Sequence, residues 1–173
     1  MSRRPPYPIV ALLLAAAALV PAGPPALAAK PVPVAVRAVA TPGVVPVGGL
    51  VTLTFRIRGA RDVHAVPFHL VYPADLLEYM DGAPGPFLAP ARGEGSGARP
   101  FFMADGAPGR LFVALARFGA AGGGAGGSGT LCTLRFRARA AGAARLSFED
   151  AHVVLADRSE AEASFEAVSL VIR

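Results

Sequence analysis

Residues 47–59 read VGGLVTLTFRIRG, and from Val51 to Arg58 apolar and polar side chains take strict turns. Val51, Leu53, Phe55 and Ile57 fall on one side of an extended chain, and Thr52, Thr54, Arg56 and Arg58 on the other. A helix would scatter those four apolar residues around its circumference. A strand gathers them onto one buried face, and β-branched and aromatic residues suit it. The same signature returns at 130–140, TLCTLRFRARA, with Cys132, Leu134, Phe136 and Ala138 inward and Thr133, Arg135, Arg137 and Arg139 outward.

Working outward, a first strand is expected over Val34–Ala40 and a third over about Ala65–Tyr72, where Phe68, Leu70 and Tyr72 share a face. A short fourth follows near Leu76–Met80. Further strands are expected at Pro100–Ala104, Leu111–Phe118, Ala144–Phe148, Val153–Ala156 and Phe165–Ile172. The string DGAPG occurs twice, at Asp81–Gly85 and Asp105–Gly109, and reads as two turns because Asp-Gly and Pro-Gly favour reversal. Ala91–Gly97 reads as a loop of small residues. Outside the N-terminus no long stretch has the 3.6-residue apolar period. Short strands joined by Gly/Pro turns predict an all-β chain, a β-sandwich or jelly roll.

The N-terminus has its own pattern. Arg3-Arg4, twelve apolar residues from Ile9 to Val20 and the small-residue step Ala26-Leu27-Ala28-Ala29 are expected to form a signal peptide over 1–29. Twelve residues make a helix of only ~18 Å, too short for a bilayer core. Cleavage near Ala28/Ala29 would export residues 30–173 as one domain, extracellular or periplasmic, touching a membrane only in transit. Without Arg3 and Arg4 the balance falls from +5 to +3, too mild for a nucleic-acid binder. The one cysteine, Cys132, has no partner for a disulfide. On its strand it reads as a small buried hydrophobe.

Catalytic patterns fail one by one. Gly122, Gly124 and Gly127 match a dinucleotide-binding string, but that site needs a helix after the loop, and here a strand follows. The glycine-rich segment 119–129 is therefore expected to be a flexible hairpin connection. Neither Gly95-Ser96-Gly97 nor Gly127-Ser128-Gly129 has the spacing of a nucleophile elbow. His64, His69 and His152 do not cluster, and His64 and His69 differ in parity, so no metal site and no cofactor is expected. A domain this small also lacks the usual cleft of a two-carboxylate glycosidase.

Four stretches together resemble the cohesin family, whose modules bind dockerins in cellulosomes. VGGLVTLTFRIRG is similar to the family's second strand, and PFHLVYPADLLEY to its third and fourth, with Tyr72, Leu77 and Glu78 in place and Pro73 where an aspartate is usual. SGTLCTLRFRARAAG resembles the seventh strand, and LSFEDAHVVLAD the eighth and its return. The resemblance implies a nine-stranded jelly-roll β-sandwich that is not an enzyme and binds a protein partner, including a dockerin-bearing one, through a sheet face. Fold kinship with carbohydrate-binding modules implies an alternative, polysaccharide binding, although the chain has no Trp and only three Tyr. A structural or adhesion domain of the cell envelope is a further alternative.

By the same resemblance, the binding face is the outward side of the third strand, at Ala65, Pro67, His69 and Val71. The family places its second and seventh strands side by side on the opposite face. That would set Arg56 and Arg58 beside Arg135, Arg137 and Arg139 as a candidate anion patch.

Overall fold

In a computed structural model, which describes residues 33–89, 99–119 and 123–173, the alternating stretch is the centre of a 16-residue strand. Chain order begins with β1 (Val34–Thr41), β2 (Val44–Val45) and this strand, β3 (Leu50–Ala65). Val51, Leu53, Phe55 and Ile57 are buried as their parity requires, and Arg56 and Arg58 are exposed. Beyond Ile57 the strand keeps pairing through two register shifts, where Gly59 and Asp62 take positive φ. Such bulges bend and twist a strand. They carry the end of β3 across to the second layer, where Ala65 pairs with Ala116.

The remaining strands are β4 (Phe68–Val71), β5 (Leu77–Pro84), β6 (Arg99–Ala107), β7 (Arg110–Phe118), β8 (Ala125–Ala138), β9 (Gly142–Glu149), β10 (Val154–Leu155), β11 (Ala163–Glu166) and β12 (Val168–Ile172). One layer runs β11-β1-β3-β8-β5 and the other β2-β12-β9-β4-β7-β6. The nine principal strands of a jelly roll are all present, with β2, β10 and β11 as short additions. The C-terminal strand changes layers: Ala163–Glu166 pairs with β1 in the first, and Val168–Ile172 with β9 in the second.

Apolar rings hold the layers together. Phe55 of β3 meets Phe68 of β4 at 5.4 Å and Phe148 of β9 at 5.8 Å, and Tyr72 meets Phe136 of β8 at 5.0 Å. Each fully buried Phe contributes about 1.5–3 kcal/mol through removal from water. Cys132 lies in this core with no exposure, a free thiol whose pKa burial pushes far above the ordinary thiol range.

Four expectations need correction or limits. The third strand is broken: Ala65 ends β3, Pro67 lies in a two-residue step, and only His69 and Val71 belong to β4. A proline supplies no ladder N–H, which is why pairing stops there. The first DGAPG is mostly strand, since Asp81–Pro84 continue β5 against Arg135–Cys132 beyond a bulge. In the second, only Pro108-Gly109 turn, and Gly109 has φ +90°. The glycine segment is half strand. Ala125 pairs with Val63 and Gly127 with Ala60, and Gly124 donates its N–H to Asp62 Oδ1. The expected segment 1–29, the loop 91–97 and residues 120–122 lie outside the described residues.

Candidate interaction face

The second layer turns one side to the core and the other to solvent, and the outer side holds the candidate face. Buried Val66, Phe68, Leu70 and Tyr72 alternate with half-buried Ala65, Pro67, His69 and Val71. The expected parity is right, but these four residues form the floor of the face and not its exposed surface. β4 is central in its sheet, and neighbours on both sides shade it.

The exposed apolar surface comes from β6 and β7. Phe101 and Met103 of β6 are 40% and 39% exposed, and Phe118 of β7 is 52% exposed. Phe101 stands opposite Ala116, Met103 opposite Ala114, and Asp105 opposite Phe112, which faces His69 on β4. The small Ala114 and Ala116 leave the larger side chains standing proud. Phe101 and Phe118 meet edge to face at 5.7 Å, His64 adds its ring at 6.1 Å, and His69 leans on Phe112 at 5.0 Å. His64 and His69 thus stand on different strands, each against a phenylalanine.

A charged group borders this strip. Arg110 reaches Glu149 at 3.3 Å and Asp150 at 3.1 Å. Asp150 also approaches His69 Nδ1 at 3.5 Å, but that enclosed nitrogen makes no hydrogen bond. The outer face is therefore apolar toward Phe101, Met103 and Phe118 and ionic toward Arg110 and Glu149.

Parity alone could not say which of the adjacent residues Phe101 and Phe102 faces out. The turn decides it. A two-residue turn at Pro108-Gly109 sets Ala107 opposite Arg110, so Phe102 pairs with inward Leu115 and Phe101 with Ala116. Taking all of Asp105–Gly109 as turn hid that signal.

On the opposite layer all five candidate arginines, Arg56, Arg58, Arg135, Arg137 and Arg139, are exposed on the outer side. β3 and β8 are neighbours as expected, but the register keeps their arginines apart. Arg56 faces Thr130, Arg135 faces Thr52 and Arg137 faces Leu50. The directly opposed like charges are instead Arg37 and Arg56, and Glu166 relieves them by binding Arg37 at 3.0 Å. Arg135 forms a two-pronged pair with Asp81, which holds that carboxyl below its usual range. The outer side of this layer is a ladder of mixed charge with threonines at its centre. Among the described residues no group of His, Cys, Asp or Glu is placed to hold a metal ion.

No protein-family model and no curated protein sequence matches the chain. Solved structures do. A non-cellulosomal cohesin from the archaeon Archaeoglobus fulgidus superposes with a TM-score of 0.66 at 17% identity, over 82% of this chain and 92% of that one. A cohesin module from a Clostridium perfringens family 33 glycoside hydrolase gives 0.64 at 13% identity, over 81% and 96%. The sixth cohesin of Acetivibrio cellulolyticus scaffoldin B, solved in complex with a dockerin, gives 0.60 at 17% identity, over 82% and 98%. At this level of identity the agreement is one of fold, and the chain is a cohesin-like β-sandwich domain.

Proposed function

We propose that this chain is a non-catalytic, exported binding module that engages a protein partner, one bearing a dockerin, through the outer face of β9-β4-β7-β6. The observation that carries the reading is the exposed cluster of Phe101, Met103 and Phe118 on that face. Exposed apolar side chains gathered on one sheet face, with ionic groups at the border, have the make-up of an interface centre and its rim. The dockerin complex of the Acetivibrio cellulolyticus cohesin supports the class of partner. Export rests on the sequence of residues 1–29.

Polysaccharide binding has less to draw on. The exposed rings of Phe101 and Phe118 meet at 66°, so they offer no flat platform for a sugar ring.

Calorimetric titration against a panel of dockerin modules tests the proposal. Binding to at least one module is expected, with Met103→Lys and Phe118→Glu each weakening it about tenfold or more, as central interface positions do. No binding across the panel, or binding that both variants leave unchanged, would remove the support for this face.

A further inference from the structure

One edge of the second layer is left, among the described residues, without a neighbouring strand. Among the described residues β6 pairs only with β7, and it is nine residues long with Arg99, Pro100, Phe101, Met103, Asp105, Gly106 and Ala107 all exposed. A long, partly apolar edge with no strand partner among the described residues is a template for another strand. The question is which strand fits.

The hairpin turn fixes which backbone groups are free. Ala107 and Arg110 flank the two-residue turn, and such a turn is closed by a hydrogen-bonded pair. Hydrogen-bonded pairs recur at every second residue, so Phe101, Met103 and Asp105 direct their N–H and C=O groups to β7. Phe102, Ala104 and Gly106 direct theirs to the open edge, as does the carbonyl of Pro100. The N–H of Gly106 is consistent with this: it donates to Oδ1 of its neighbour Asp105 at 2.9 Å, and not to a β7 carbonyl.

We propose that β6 pairs antiparallel with β6 of a second copy of this chain, with Phe102 opposite Phe102 on the twofold axis. In that register Phe101 lies opposite Met103 of the second copy, on the same outer face. Arg99 lies opposite Asp105 of the second copy, and Asp105 opposite its Arg99. Among the described residues neither Arg99 nor Asp105 makes an ion pair within its own chain; the Asp105 carboxylate accepts the N–H of Gly106 and lies within electrostatic reach of Tyr79. The strand thus carries one charge of each sign, equidistant from Phe102, which is the arrangement a self-complementary edge requires. Both ion pairs fall at positions not hydrogen-bonded across the new junction, where opposed side chains approach most closely. The paired Phe102 residues exchange two backbone hydrogen bonds, and each Ala104 N–H meets the carbonyl of Pro100 in the other copy. Pro100 has no N–H to return, so the ladder ends there.

Pairing through the edge leaves the outer faces open and makes one continuous sheet of the two second layers. Each dimer then presents two copies of the Phe101, Met103 and Phe118 cluster on the same side. This inference goes beyond the proposed partner binding and does not depend on it.

Light scattering during gel filtration of the purified full chain, over a dilution series, reads the result directly. The expected wild type shifts from dimer to monomer on dilution. Asp105→Arg and Arg99→Asp, each setting like charges opposite one another at both ends, are expected to weaken association about tenfold or more. The double variant Arg99→Asp with Asp105→Arg restores the pairs in reverse and is expected to restore the dimer. Thermal unfolding of each variant verifies that these surface changes leave the fold intact. A wild type that stays monomeric throughout overturns the proposal. So does a dimer indifferent to either single charge reversal, or a double variant that stays monomeric.

Discussion

Truncating Phe68 should damage the fold and the candidate face together. The ring is fully buried on the inner side of β4, 5.4 Å from Phe55 of the other layer and 5.2 Å from Phe148 of the adjacent strand. Its immediate neighbours, Pro67 and His69, belong to the floor of the outer face. Phe68→Ala removes most of a buried ring from between two layers with fixed backbones, so the site cannot collapse fully. Loss of about 3–5 kcal/mol is expected. Phe68→Leu keeps most of the volume and loses the two ring contacts, worth about 0.5–1.5 kcal/mol each. It should therefore cost about 1–3 kcal/mol, clearly less than alanine. Urea unfolding followed by circular dichroism at several wavelengths measures both, provided the slope with denaturant stays constant. Equal losses for Leu and Ala, or a loss below about 1.5 kcal/mol for Ala, would refute the view that this ring cluster joins the layers.

Cys132 should label slowly in the native protein and give one equivalent after denaturation; rapid native labelling would contradict its burial. Because burial raises the thiol's pKa in the folded state only, its contribution to stability is complete below the unfolded thiol's pKa of about 8.5 and declines as pH rises above it. Cys132→Ala should flatten that alkaline decline, as urea unfolding at several pH values would show. At Gly124 an added Cβ would lie 2.2 Å from the backbone carbon of Asp62, whereas at Gly43 it would meet nothing within 4 Å. Gly124→Ala is expected to cost about 1–3 kcal/mol through overpacking against rigid backbone. Gly43→Ala should be near neutral, and thermal melts that rank the two in reverse would return 119–129 to the status of a loose connection.

Much of this architecture was legible in the residues. Strict alternation at 51–58 and 132–138 determined two strands and which side of each is buried, because a period of two leaves only one way to hide four apolar side chains. The same logic placed Cys132 in the core and every candidate arginine in solvent. Local pattern also excluded a phosphate loop, since a strand and not a helix follows the glycines. Tertiary structure decided whatever depends on pairing between distant segments. Bulges at Gly59 and Asp62 let β3 run on to Ala65, so a strand expected to be continuous past Pro67 is two strands on different paths. Register, set by the Pro108-Gly109 turn and by the bulge near Cys132, put Phe101 outside and Phe102 inside, and set Arg56 opposite Thr130 and not opposite another arginine. Exposure was the least legible quantity. Parity tells which side a residue faces, but His69 and Val71 are half covered and Phe101 and Phe118 stand clear because of how large their neighbours on adjoining strands are, and those neighbours are remote in the chain.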